Sequence, residues 1–455
     1  MSGLVRRHAR WVIPVATPPI ADGTVITDGD RITWVGPRAS APRSATADGH
    51  DEELGDCILT PGLVNAHTHL DLTMMRGALE DLAFFDWVST LVRAKREVFT
   101  DEDLRAAALL GVAEGLSRGI TTFGDTGDTD AAFDAMLTLG ARGIAYREVF
   151  GPDPEQVSAS LAGLTSAVAA MRLRATSLVR VGVSPHAPYS VSDALFAAVG
   201  AFAEHEGLPL AVHIAESAAE DDLVIRAAGP FAEFLRGRGI AVERRAYGPI
   251  QLIDAAGLLR RSTLLIHGVR ASASDVARMA DTGCGIAHCP ASNAKLGHGI
   301  APLKEFLAAG ARVGLGSDSM ASNNTMDLLA EARLASLQQR ALTKKPDALP
   351  ARAAFRLATL GGAEALRLDD ETGSLVSGKQ ADLVAFRMSD LGAPVADPLA
   401  ALVFGAGQVV AHRVVVAGHE RVRDGAVRGL APVVRERVVD AASRLAQWRA
   451  ARASG

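Results

Sequence analysis

The sequence predicts an α/β protein: a (β/α)8 TIM barrel with a small β-sandwich domain formed from both chain ends. Three observations carry this expectation. From residue 59 onward, short apolar segments alternate with longer amphipathic ones, the rhythm of a parallel sheet with crossover helices. Eight such short segments can be counted, and eight is the number that closes a barrel. Both flanks lack this rhythm and show short β-like runs broken by Asp-Gly turns instead.

In chain order, the opening stretch MSGLVRRHARWVIPVATPPI carries two arginines before an apolar run, but Pro14, Pro18 and Pro19 interrupt that run. An export signal is therefore not expected, and Ala9 to Val15 reads as a strand. Turns are expected at Asp22-Gly23 and Asp28-Gly29. The barrel strands follow: LVNAHTH from Leu63, ITTFGD from Ile120, GIAYREV from Gly143, VRVGVSPH from Val179, PLAVHIAE from Pro209, TLLIHG from Thr263, GIAHCP from Gly285 and RVGLGSD from Arg312. Helices lie between them. Thr100-Asp101-Glu102-Asp103 resembles a capping box ahead of LRAAALLGVAEGL, whose apolar positions recur at helical spacing. The stretch from Gly373 to Gly425 repeats the texture of the first flank, and VVRERVVDAASRLAQWRAAR reads as a terminal helix packed on the outside. The expected division is residues 1–58 with 370–430 as the small domain, 59–369 as the barrel and 431–455 as the helix.

A length of 455 residues accommodates a barrel of about 250 residues or more with a smaller domain beside it. Hydrophobic residues at 48% and charged residues at 22% exclude a disordered chain and imply a substantial core. A net charge of −5 without a basic stripe excludes phosphate-backbone binding, so no nucleic-acid partner is expected. The cysteines Cys57, Cys284 and Cys289 have neither metal-binding nor disulfide-framework spacing, which fits the reducing cytoplasm. No apolar run approaches the roughly 18 residues of a membrane span, so no membrane partner is expected.

The chemistry begins at PGLVNAHTHLD. In a strand His67 and His69 point to one face, where both imidazoles can reach one metal at the barrel's C-terminal mouth. An HxH pair alone is weak evidence. Three later strands strengthen it: His213 ends the fifth, His267 the sixth and Asp318 the eighth, so four strands deliver ligand-type side chains to one rim. Neutral imidazoles with one carboxylate suit one Zn2+, and Fe2+ or Mn2+ can also occupy such N/O sites. With His67, His69, His213 and Asp318 as ligands, a water takes the remaining position and its pKa falls toward about 7. Glu216, three residues after His213, can line the same pocket and move protons.

The runs PGLVNAHTHLDLTMMRG, SPHAPYSVS, VHIAES, LIHGV, HCPASNAKLGHGIAPL, GLGSDSMASNNTMDLLAEARLAS and GKQADLVAF are together highly specific. Through them the chain resembles the amidohydrolase superfamily, in the branch of aminopurine deaminases and chlorohydrolases. The resemblance implies that His67, His69, His213 and Asp318 bind the metal. His267, left open as a ligand by spacing alone, would orient the attacking water. Asp318 would accept the water's proton, Glu216 would protonate the adjacent ring nitrogen, and ammonia would leave from a tetrahedral intermediate. Binuclear members carry a carboxylated lysine where this chain has Ser184-Pro185-His186-Ala187-Pro188, so one metal per subunit is implied.

The resemblance also ranks substrates, all of them small heterocycles. HAPYS, Ser292-Asn293 followed by Lys295-Leu296, and SNN at Ser322 to Asn324 look most like deaminases of 5′-substituted adenosines, such as S-adenosylhomocysteine and methylthioadenosine. His186 would then contact the nucleoside, as would Asn293 and His288. Trp87 would pack on the substrate or serve as a core aromatic, and Arg147 would address the polar tail or form a rim salt bridge. GSDSMASN and GPFAEFL lean toward aminodeoxyfutalosine deaminase, with a benzoate tail. A further arginine expected after Gly151 is replaced by PDPEQVSASLAGL, which leaves the 5′ group open. Hydrolysis of another aminated or chlorinated ring, such as guanine, a pyrimidine or a triazine, is the alternative. His298, among glycines, reads as a loop residue. Cys289 is not expected to be a nucleophile in a site that already activates water. A homo-oligomer is compatible with the sequence but not specified by it.

Overall fold

The computed structural model describes residues 3–42, 49–392, 394–405 and 407–453. The N-terminal end contributes β1 (Leu4–Val12), β2 (Ile20–Asp28), β3 (Arg31–Pro37), β4 (His50–Glu53) and β5 (Cys57–Pro61). The barrel strands are β6 (Leu63–His69), β7 (Ile120–Gly127), β8 (Arg142–Val149), β9 (Val179–Pro185), β10 (Leu210–Ile214), β11 (Thr263–His267), β12 (Gly285–His288), β13 (Arg312–Leu315) and β14 (Asp318–Ser319). The C-terminal part returns with β15 (Leu383–Arg387), β16 (Arg413–Val416), β17 (His419–Arg423) and β18 (Ala426–Val427).

Two sheets result. One is mixed and built from both ends, in the order β18-β17-β16-β15-β5-β1-β2-β3, with β4 pairing beside β1. The other is parallel, in the order β13-β12-β11-β10-β9-β8-β7-β6-β14. β13 and β14 are two pieces of the eighth strand, interrupted at Gly316-Ser317. Because β14 pairs with β6 (Asp318 with Thr68, Ser319 with His69), the last strand returns to the first. Helices cover the parallel sheet, as the alternation predicted.

Two local expectations are corrected. The first strand starts at Leu4 rather than Ala9, so Arg6 and Arg7 lie inside it. They are tolerated there because β4 pairs alongside and supplies carboxylates: Arg7 Nε donates to Glu52 at 2.9 Å and Arg6 Nη1 to Asp51 at 3.3 Å. Asp22-Gly23 is no turn: β2 runs through it, with Gly23 opposite both Ala9 and Pro37. Glycine is required by packing, since a Cβ at Gly23 would stand 2.6 Å from Val12 Cγ2. Asp28-Gly29 does turn the chain, with Gly29 at φ +57°.

The capping box forms as read: the Thr100 hydroxyl accepts from Asp103 N, and Asp103 accepts from Thr100 N at 2.9 Å. The helix it starts, Asp101–Ser117, is gripped by the terminal helix Pro432–Ala453, whose Arg437 and Arg444 both donate to Asp103. Among the described residues no helix is long and apolar enough to cross a membrane.

Candidate active site

The period of a strand decides which residues of β6 can act. Val64 and Ala66 are buried in a cluster with Ala363 and Leu366 of the helix Gly362–Leu366, so Asn65, His67 and His69 take the opposite face. Asn65 fills the break in the eighth strand: its amide accepts from Ser317 N at 3.0 Å and donates to Ser317 Oγ at 2.8 Å. After that break Asp318 takes a left-handed conformation, φ +56°, and His267 at the end of β11 does the same at φ +73°. Two non-glycine residues held in this costly region at strand ends mark a site whose geometry the surroundings impose.

The side chains converge. Asp318 Oδ1 lies 3.3 Å from His67 Nε2 and 3.6 Å from His69 Nε2, and His213 Nε2 lies 3.3 Å from His69 Nε2. His213 Nδ1 sits 3.2 Å from the His186 carbonyl, a contact in which it donates, so Nε2 turns its lone pair to the centre. Ser292 Oγ (2.5 Å) and Ser322 Oγ (2.9 Å) both donate to Asp318 Oδ2, and Ser319 N (2.7 Å) to Oδ1.

The residues fit a divalent ion. His67 is wholly buried, yet neither of its ring nitrogens has a hydrogen-bond partner, which buried polar atoms almost always have. Donor atoms of His67, His69 and His213 lie within 4.8 Å of one another, as do those of His67, His267 and Asp318. Burial pushes the His67 imidazole down to about 4, and likewise lowers His69 and His213, so all three imidazoles are neutral at neutral pH. Burial alone would raise the Asp318 carboxyl, but His67 and its neighbours outweigh it and hold it well below the usual range. Three lone pairs and one carboxylate are the donor set that zinc, iron or manganese accepts.

Glu216 stands beside this centre, 4% exposed, with Oε1 3.4 Å from His267 Nε2. Burial works to raise its carboxyl; His267 and His298 outweigh that and hold it below the usual range. His267 is oriented in turn by Asn293, whose Oδ1 accepts from Nδ1 at 2.9 Å. Asn293 Nδ2 is buried without a partner. Glu220, which the sequence reading passed over, fixes the turn carrying Glu216 by accepting from Ala215 N and Glu216 N, each at 2.8 Å. Its signal was present: Ser217-Ala-Ala-Glu220 is the S-x-x-E pattern of a helix start, and the Ser217 hydroxyl accepts from Glu220 N.

The remaining named residues are placed as follows. His186 follows β9, its Nδ1 2.7 Å from Ser190 Oγ and its ring 4.9 Å from that of His213. His288 is buried with both nitrogens unpartnered, and burial pushes it down to about 3. Trp87 stacks on Phe84 at 6.3 Å and keeps Nε1 buried without a partner. Arg147 is tied to Asp130 at 3.1 Å. Cys289 is buried and its thiol is pushed far up, so it is no nucleophile at neutral pH. His298 is no mere loop residue: its side chain is 4% exposed and its Nε2 lies 3.5 Å from Glu216 Oε1. Lys95, also missed, is held between Asp71 (2.8 Å) and Asp128 (2.5 Å); nothing in its local sequence announced this.

This geometry can be compared with known proteins. The amidohydrolase family pattern matches residues 58–421. The chain belongs to the amidohydrolase family. The 5-methylthioadenosine/S-adenosylhomocysteine deaminase of Desulforudis audaxviator is 34% identical over 448 residues, covering 98% of each chain. Among solved structures, an adenosine deaminase from Xanthomonas campestris with bound zinc superimposes with a TM-score of 0.84 at 27% identity, covering 97% of this chain and 98% of that one. Atrazine chlorohydrolase from Arthrobacter aurescens, complexed with zinc, gives 0.81 at 25% identity, covering 97% and 99%. The amidohydrolase assignment thus spans the strand ends that carry His67, His69, His213, Glu216, His267 and Asp318.

Proposed function

We propose that this amidohydrolase is a hydrolytic deaminase of 6-aminopurine nucleosides with a modified 5′ group, such as methylthioadenosine or S-adenosylhomocysteine. Water adds to the amine-bearing ring carbon, the amine leaves as ammonia, and an inosine-type nucleoside remains. The observation that carries this reading is the buried Glu216 carboxylate 3.4 Å from His267, beside the convergence of His67, His69, His213 and Asp318. The 34% identity along nearly the whole chain to a 5-methylthioadenosine/S-adenosylhomocysteine deaminase supports the substrate class.

His67, His69, His213 and Asp318 would hold one divalent ion, zinc by preference and iron or manganese as alternatives. When bound, such an ion supplies a Lewis acid and lowers the pKa of a coordinated water. Asp318, kept ionised and aligned by Ser292 and Ser322, takes a proton from the attacking water. Glu216, ionised at rest, would carry the water's other proton to the ring nitrogen beside the reacting carbon, and the proton taken by Asp318 would leave with the ammonia. His267, held by Asn293, orients the water. On this reading His186, His288, Asn293 and Trp87 would contact the nucleoside, and Arg147 would address a polar tail.

Purified protein supplied with zinc is offered adenosine, methylthioadenosine, S-adenosylhomocysteine and aminodeoxyfutalosine, and ammonia release is measured. At least one is expected to turn over. Glu216→Gln is expected to lower kcat by about 10²–10⁴-fold with metal content unchanged; an unaltered rate would remove Glu216 from the reaction. The likeness to a chlorohydrolase gives the second reading, hydrolysis of a chlorinated or differently aminated ring. Chloride release from a triazine, with all four nucleosides untouched, would establish that reading instead.

A further inference from the structure

The loop between helices Pro290–Lys295 and Leu303–Ala308 carries His298 between Gly297 at φ +72° and Gly299 at φ +105°. Glycines in these conformations let a short loop fold inward at no steric cost. The His298 backbone N–H is tied to the Asn293 carbonyl at 2.9 Å. Its imidazole is therefore directed into the site, where the buried Nε2 has Glu216 Oε1 as its facing acceptor at 3.5 Å, a contact that a small rotation would close into a hydrogen bond. Two imidazoles thus address one oxygen: His267 Nε2 at 3.4 Å and His298 Nε2 at 3.5 Å from Glu216 Oε1.

The His298 ring is itself confined. Phe84 meets it edge to face, with centroids 4.6 Å apart and planes at 89°. Phe84 in turn packs edge-on against Tyr189 (5.9 Å) and Phe231 (6.0 Å). Turning His298 away from Glu216 would disturb an aromatic cluster drawn from three separate segments of the chain.

We propose that His298 is a positioning residue for the deamination: a proton on its Nε2 holds Glu216 Oε1 on the side away from His267, leaving Oε2 to carry the proton. The argument rests on the proposed role of Glu216. The terminal torsion of a glutamate is broad, so an unheld carboxylate would spread its reacting oxygen over many positions. A donor on Oε1 limits that spread, and placement errors near 1 Å can cost about 10²-fold in rate.

The test uses the full-length, metal-loaded enzyme with the best nucleoside of the panel. His298→Ala is expected to lower kcat by about 10- to 100-fold while KM stays within about threefold. His298→Gln, which keeps a side-chain N–H, should recover part of the loss. In a Glu216→Gln background, His298→Ala should change kcat far less, because the group it positions has gone. Metal content by elemental analysis and thermal unfolding are read on every variant and are expected to match the parent. A full-rate His298→Ala enzyme beside a crippled Glu216→Gln enzyme would overturn the positioning role alone. So would a loss expressed in KM, or an equal loss in both backgrounds. A Glu216→Gln enzyme at full rate would instead overturn the reading on which the proposal rests.

Discussion

Two buried polar clusters of the barrel, one at each end of its strands, are satisfied in opposite ways. At the base, Arg142 opens β8 and is 2% exposed. Its guanidinium donates to Asp382 Oδ2 at 2.7 Å and Oδ1 at 3.3 Å, to Glu371 at 3.1 Å and to Gln380 at 3.4 Å. Asp382 also accepts from Ala417 N at 2.8 Å, so the cluster fastens the barrel to the end-built sheet. At the rim, His67, His288 and Asn293 are as deeply placed and the His298 and Glu148 side chains nearly so, yet each keeps at least one buried polar atom without a partner. Buried polar groups are normally paired, so the completed cluster is a structural joint, and the incomplete one is where the ion and nucleoside are proposed to bind.

That contrast can be broken experimentally. The largest effect is expected at Asp318→Asn: ion binding and turnover are lost, by elemental analysis and ammonia release, while thermal unfolding changes little. A variant that unfolded instead would show that the rim, too, is a joint. Arg142→Met should do the reverse. Leaving Asp382 as an uncompensated buried charge costs about 3–5 kcal/mol, read by urea unfolding, while the protein that remains folded keeps the parental KM.

The smallest effect concerns His288 and sharpens the comparison. Burial pushes its imidazole from 6.5 down to about 3. Below pH 6.5 the unfolded chain takes up a proton that the folded one refuses, so its contribution is complete above that pH and is lost as pH falls toward 3. Glu220 and Glu331, raised by burial to about 8, act in the opposite sense, their contribution fading as pH rises from 4.5 to 8. Only a difference between parent and variant isolates His288. In urea titrations at a series of pH values, His288→Gln should flatten the acid side by about one proton, or about 1.4 kcal/mol per pH unit. An unchanged slope would mean that His288 is not held neutral.

Much of the site was legible because its signals are local. Strand period sends His67 and His69 to one face, and the βα rhythm sets His213, His267 and Asp318 at strand ends, which a barrel gathers at one rim. The residues that were missed or misread act through neighbours distant in sequence. His298 looked like loop filler because Glu216 is 82 positions away along the chain. Arg6 and Arg7 looked foreign to a strand because their carboxylates come from a later one, β4.

By itself, the sequence determined the alternation of strands and helices in the barrel, that eight strands form it, and which residue types reach its mouth. These follow from periodicity and from the chemistry of single side chains, both properties of short stretches. Only the tertiary structure decided that the eighth strand breaks at Ser317 to turn Asp318 inward, that Asn293 addresses His267, and that Glu216 stands between two imidazoles. Each of these depends on distances between segments brought together by packing, and no pattern along one strand or helix encodes such a distance.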